Sequence, residues 1–415
     1  MRSLHRPILR QPTIALFAMV VAIVLGAMST TAAASVEGTA HSLGPNAGAR
    51  DAALLGVSAD STTDAWAVGD ATNPSGAART ITFHWNGASW TKVPSPNPGG
   101  TTSPGELNEL TGVAAVSPSD VWAVGFYARG ESDSPHGLIL HWGGTSWSRV
   151  PSPCTGAVTC FLFGVSADSS TDVWAVGETT GKRAESLILH WDGTSWTRTP
   201  SPEPAILHGV SADSPSDAWA VGTWEKPGTE AILTVALRWD GTAWTRVRPP
   251  NPGGKGVDAL NLLNGVSTVS ASDAWAVGSF KMVGQNRARR TLVLRWDGTR
   301  WRKIQSPNPG GRSTGSVSEL NAVSAVSGSD AWAVGDYDNA NNGAVKTLIL
   351  HWDGGTWTKV PSPNPSGTTF PAVNRLFGVS ADTSADAWAV GDRLAKSSHY
   401  AGTFLRWNGV TWTSA

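Results

Sequence analysis

Charge is scarce in this chain. Asp, Glu, Lys and Arg supply 15% of the 415 residues, against about a quarter in an ordinary soluble domain, and they leave a formal net charge of −1. That balance excludes the basic surface on which a nucleic acid would dock. Cysteine is nearly absent: Cys154 and Cys160 stand six positions apart and in no metal-ligand spacing. A cysteine metal centre is therefore excluded, and export would leave the two as one local disulfide. No apolar run beyond residue 28 is long enough to span a membrane.

The exception is the run from Ile14 to Met28. Arg2, His5, Arg6 and Arg10 precede it and small residues follow it to Ala34, the layout of a secretory signal peptide over residues 1–34. Cleavage after Ala32 to Ala34 starts a mature segment at 35–50. The alternative is an uncleaved anchor that tethers the protein, since the run approaches the roughly 18 residues of a spanning helix. Both readings put the rest of the chain outside the cytoplasm, with no span left after cleavage.

Tryptophan is in excess, with 22 residues. The string WAVG occurs seven times, with its tryptophan at Trp66, Trp122, Trp174, Trp219, Trp275, Trp332 and Trp388. A Leu-x-Gly/Ala-Val element precedes each copy. An apolar stretch ending in His or Arg, then Trp, a turn and a second Trp follow it. Three tryptophans per unit account for 21 of the 22, leaving Trp224 outside the pattern.

Each unit reads as four short strands, of the types LFGVSAD, DAWAVG, LILHW and SWTRT. Between the last two lies Asn-Gly, Gly-Gly or Asp-Gly, the pairs that favour a two-residue type I′ hairpin. Seven such units predict an all-β fold, a seven-bladed β-propeller with four antiparallel strands per blade over residues 51–415. The blades fall near 54–98, 110–153, 162–202, 207–252, 263–309, 320–365 and 376–415. Both terminal blades are complete without strand exchange, and 35–50 is free to add an outer strand.

A two-residue loop at Asp192-Gly193 pairs Trp191 with Thr194 and Leu189 with Trp196, which puts Trp191, Trp196 and Leu189 on one face. Val173 and Ala175 lie under those rings, while Trp174 and Val176 point the other way. Both faces of a blade are thus core. A buried aromatic removes about 150 to 250 Å² from water, roughly 4 to 6 kcal/mol of gross burial. The repeated tryptophans are therefore read as packing, not as ligand stackers. The residue before the third-strand Trp (His84, His141, His190, Arg238, Arg295, His351 or Arg406) meets the Asp that opens the second strand (Asp64, Asp120, Asp172, Asp217, Asp273, Asp330 or Asp386). His and Arg exchange freely there, and Arg is neither a metal ligand nor a general base, so these pairs are structural.

The S-x-x-D turns and the Asp-Gly hairpins fall on one face of the disc and hardly vary. The loops after the second strand and between blades fall on the other and differ in every copy, which marks the binding face. Its candidate ligand contacts are Phe126, Tyr127 and Arg129, then Trp224, then Phe280, Arg287 and Arg290, then Asp336, Tyr337, Asp338, His399 and Tyr400. Asp336 to Gly343 (DYDNANNG) begins like a calcium loop, but Ala340 stands at a ligand position and no Glu closes it, so it reads as a solvated turn. No catalytic or metal-binding set stands out, and no cofactor is expected.

DAWAVG, HWDGTSW and VPSP make the unit similar to a kelch repeat of the galactose-oxidase-like propellers, across residues 51–415. Kelch repeats usually end the second strand in a Gly pair; here one Gly stands (Gly69, Gly125, Gly177 and equivalents). The copper-radical chemistry of that group is not implied, because it needs a Tyr–Cys crosslink with further Tyr and His ligands. This chain has only Tyr127, Tyr337 and Tyr400. WDGTSW also looks like a sialidase Asp-box, without that family's arginine triad. Two functions remain. One is a secreted, monomeric binding or scaffold propeller for an extracellular glycan, peptide or protein. The other is an extracellular polysaccharide hydrolase or lyase with a site built from loops. If the repeated indoles are core, a soluble quencher will leave most of the tryptophan fluorescence of the folded protein intact; quenching of most indoles would refute the assignment.

Overall fold

Alternating large and small residues, punctuated by Ser-x-x-Asp turns and Gly hairpins, fold each unit into four antiparallel strands. The computed structural model describes residues 51–415 apart from 155–158, 182–183, 283, 285–287, 341 and 397. The expected signal peptide and the 35–50 segment lie outside the described residues. In the first blade the inner, second, third and outer strands are Asp51–Ser61, Asp64–Thr72, Ala78–Trp85 and Trp90–Val93. The last blade is Asn374–Thr383, Asp386–Leu394, Tyr400–Trp407 and Trp412–Ser414. The 28 strands make seven such blades. Blades four and five count as one eight-stranded sheet only through the single bridge of Ile232 to Leu260.

The Gly of each WAVG has a steric cause. The inner strand carries a bulge opposite it, as between Leu54 and Gly56, which drives a carbonyl against the second strand. A Cβ on Gly69 would lie 2.0 Å from the Ala53 carbonyl oxygen, and one on Gly177 1.9 Å from that of Phe161. The inner strands then pack in a circle. A Cβ on Gly56 would meet Gly112 Cα at 3.2 Å, one on Gly209 would meet Gly265 Cα at 3.3 Å, and one on Gly378 would meet Gly56 Cα at 3.3 Å, closing the ring. Serine hydroxyls tie the same strands: Ser58 accepts from the amide of Ala115, and Ser380 from that of Ala59 across the closure, both at 3.0 Å. Blade two carries Ala114 at that position, so among the described residues the seam to blade three has no such tie. The Cys154–Cys160 disulfide joins the end of blade two to the inner strand of blade three there.

The hairpin differs from the sequence expectation. Trp191 pairs with Trp196, His190 with Thr197 and Leu189 with Arg198, so the loop has four residues. Only Gly193 takes a positive φ, of 90°. The Asp192 carboxylate folds back to accept from the amides of Thr194 at 2.8 Å and Ser195 at 2.9 Å, which replaces a type I′ turn by an Asx turn. The slip is two residues, so every side chain keeps its expected face.

Those faces meet between blades. Val173, Ala175, Leu187, Leu189 and Trp196 of blade three pack on Trp122, Val124 and Ile139 of blade two. Trp122 lies 4.9 Å from Trp191 and 5.3 Å from Trp196, ring centre to ring centre. At the closing seam Trp388 makes the same contacts with Trp85 and Trp90, both at 4.9 Å. The other side of each second-strand ring is covered by its own His or Arg: His190 stacks on Trp174 at 4.1 Å, and Arg406 sits 5.2 Å from Trp388. Each of these cations or imidazoles meets the expected Asp, as His190 with Asp172 at 2.5 Å and Arg295 with Asp273 at 2.8 Å. A Gly177→Ala variant is expected to lose at least about 2 to 3 kcal/mol in denaturant unfolding. Gly181→Ala, where an added Cβ meets nothing within 4 Å, will change stability little.

Candidate functional site

The residue after each WAVG and its inner-strand partner form one layer around the propeller axis, below the variable-loop face. Register gives the pairs as Ala53 with Asp70, Glu109 with Phe126, Phe161 with Glu178, Ile206 with Thr223, Leu262 with Ser279, Glu319 with Asp336 and Arg375 with Asp392. The layer thus holds six carboxylates and one guanidinium. Beneath it the bulged residues form a second layer, in which Thr111, Asn264 and Asn321 donate to the carbonyls of Leu162, Leu320 and Leu376 in the next blade.

Most of the polar chemistry gathers at blades six, seven, one and two. Arg375 grips Asp392 with two contacts, Nε to Oδ1 at 2.9 Å and Nη2 to Oδ2 at 2.5 Å, and lies 5.0 Å from the Tyr400 ring. The Tyr400 amide donates to Asp51 at 2.8 Å, and His399 stands 3.7 Å from the same carboxylate. Arg289 pairs with Glu319 at 3.0 Å. Asp70 is 5% exposed, yet among the described residues its Oδ1 has no hydrogen-bond partner. Burial, then the Asp392 and Asp51 charges, push its carboxyl up to about 7. Burial followed by Glu319 does the same for Asp336, to about 7 against the pull of Arg375. Burial alone raises Glu178 to about 7 and lowers His208 to about 4. Glu109 is held well above the usual range by burial and by Asp70.

Of the residues singled out from sequence, the structure brings Asp336, His399 and Tyr400 together around this constellation. Arg375, Asp392, Glu319, Asp70 and Glu109 were missed. The signal for Asp70 and Asp392 was the acidic bias of the residue after WAVG, which reads Asp, Phe, Glu, Thr, Ser, Asp, Asp, whereas Glu109, Glu319 and Arg375 stand on inner strands outside that position. Phe126, Tyr127 and Phe280 are buried at 2 to 4% exposure. Trp224 is not outside the repeat: it shares one position with Tyr127, Phe280 and Tyr337. Each of these rings is covered by a cation of the outer strand, Arg149, Arg246, Lys303 and Lys359, at 4.9, 5.3, 5.0 and 4.7 Å. This aromatic–cation clip is a packing device. Arg129 is exposed beside Tyr127, Arg290 is half-buried, and Asp338 caps its own turn through the amide of Ala340 at 2.8 Å. Arg287 lies outside the described residues. Phe370, 75% exposed in the linker to blade seven and set against Gly343, is an aromatic the repeat pattern gave no reason to notice.

A recess of about 310 Å³ opens beside blade three, lined by Glu185, Ser186, Arg198 and residues 200–204. Among the described residues no group of three His, Cys, Asp or Glu side chains is placed to hold a metal ion, and no helix is long and apolar enough to cross a membrane.

No family model and no curated protein matches the sequence. Solved structures do. A PL25 polysaccharide lyase, an ulvanlyase bound to -[GlcA(1-4)Rha3S]-, is similar over 88% of this chain and 96% of its own, with 9% identity and a TM-score of 0.54. The β-propeller domain of the Trilobed protease from Pyrococcus furiosus covers 88% and 98% at 9% identity and 0.47, and the SapL1 lectin with α-methyl fucoside 89% and 96% at 11% identity and 0.42. The first likeness, with the sheet topology, establishes the propeller fold.

Because Asp70, Asp336 and Glu178 have folded-state values above their unfolded ones, the folded chain holds more protons between about pH 4 and 7, and stability falls as pH rises through that window. His208 acts in the opposite sense: as pH drops from 6.5 toward about 4 the unfolded chain takes up a proton there that the buried imidazole refuses, so stability falls. Three carboxyls outweigh one imidazole, so Tm is expected to be higher at pH 5 than at pH 8, with the difference reduced in Asp70→Asn. A Tm that rises between those values would contradict the assignment.

Proposed function

We propose that the chain is a secreted, monomeric, non-catalytic propeller that binds a glycan through the variable-loop face, over the axial layer. One observation carries this reading. The repeated aromatic and ionic positions pack against neighbours inside the ring, whereas unrepeated polar groups, the exposed Asp51 and His399 and the half-buried Tyr400, gather beside Arg375. The lyase bound to its saccharide lends support, as a propeller of similar architecture with a polysaccharide ligand. The disulfide suits export, and a kelch-like ancestry of the repeat belongs to the same proposal.

A second reading, an extracellular hydrolase or lyase, is favoured by one feature: the Asp336 carboxyl, poised near neutrality beside Glu319, is what a general acid or base requires. A glycan array read for both retention and new reducing ends separates the two. Retention without turnover is the expected result. Release of reducing ends would replace the first reading by the second, and no retention of any glycan would refute glycan binding.

A further inference from the structure

We propose that the carboxylate layer beneath the variable-loop face is a subsite for a cationic nitrogen of the ligand, so that the glycan recognised carries free amino groups. This rests on the reading of that face as glycan-binding.

The first support is charge. Of the six carboxylates in the layer, Asp392 is ion-paired with Arg375 and Glu319 with Arg289. Among the described residues Asp70, Glu109, Glu178 and Asp336 take part in no ion pair, and Asp392 and Asp51 act on Asp70 with charge of its own sign. An ammonium entering here would draw these carboxyls into their ionised form and pair with them, which a sulfate or uronate cannot do.

The second support is an unmet hydrogen bond. Asp70 is 95% buried and set among these acids, yet among the described residues its Oδ1 accepts from no donor. A buried acceptor left without a donor is costly, and an ammonium brings three N–H donors. The third is access. The Asp51 and His399 side chains are 44% and 48% exposed at the rim. Glu319, Asp336 and Tyr400 are half-buried, and Asp70 and Asp392 are buried.

The test is calorimetric binding of four oligomers of matched length to the full chain: glucosamine, N-acetylglucosamine, galacturonate and lysine. The glucosamine oligomer is expected to bind at least tenfold more tightly than its N-acetylated counterpart, and the galacturonate not at all. Asp70→Asn and Asp336→Asn, which replace an ionisable carboxyl by a neutral amide of the same size, are expected to weaken glucosamine binding at least fivefold while Tm holds or rises. Tighter or equal binding of the acetylated or acidic oligomer, or unchanged affinity in both folded variants, would overturn the subsite and leave glycan binding standing. Lysine binding as tight as glucosamine would overturn it in favour of a peptide ligand. If no oligomer binds, the subsite is refuted, and the glycan array then decides the broader reading by itself.

Discussion

The structure depends on one interblade contact made seven times. A second-strand tryptophan is clasped between the His or Arg of its own blade and the tryptophan pair of the next, and an Asp holds that His or Arg in place. Trp174 shows the arrangement, with His190 at 4.1 Å on one side and Trp239 and Trp244 at 4.9 and 5.1 Å on the other. His and Arg exchange because both present a flat, hydrogen-bonding group to an indole face. The third-strand indoles donate to a carbonyl in the Ser-x-x-Asp turn of their own blade, as Trp191 does to Ser170 at 3.1 Å. Second- and outer-strand indoles such as Trp174 and Trp196 have no acceptor. Each such orphan costs about 1 to 3 kcal/mol, less than the roughly 4 to 6 kcal/mol of gross burial per ring.

Packing of this kind leaves the ring without strand exchange. Blade seven meets blade one through Trp388, Phe404 and Phe83, through the Ser380 hydroxyl, and through Arg406, whose Nη2 donates to the Thr62 carbonyl at 3.3 Å. Closure is made by the same tryptophan contacts as every other seam. The seam between blades two and three departs from the rest, exchanging a serine tie for a disulfide.

Periodicity made the scaffold legible. Seven copies disclose strands, faces and the Asp partners, because parity along a strand survives even a misjudged loop. The hairpin register was not legible: whether Asp192 takes a positive φ or caps its own turn depends on a side-chain hydrogen bond that composition does not reveal. Trp224 looked unique because Ala71, Thr179 and Arg393 occupy its position in other blades, which hides a shared site. The axial layer was the hardest to see. Its members come from two strands of every blade, and only the three-dimensional ring sets Glu109 near Asp70 or Asp336 near Arg375.

Scaffold and chemistry are thus separated by layer, with repeated residues inside the seams and unrepeated ones at the mouth. The most direct test is a double-mutant cycle across the closing seam with Trp388→Leu and Trp85→Leu, followed by denaturant unfolding. A coupling on the order of 1 kcal/mol is expected if blade seven packs on blade one through these rings. Strict additivity of the two changes would contradict ring closure by interblade tryptophan.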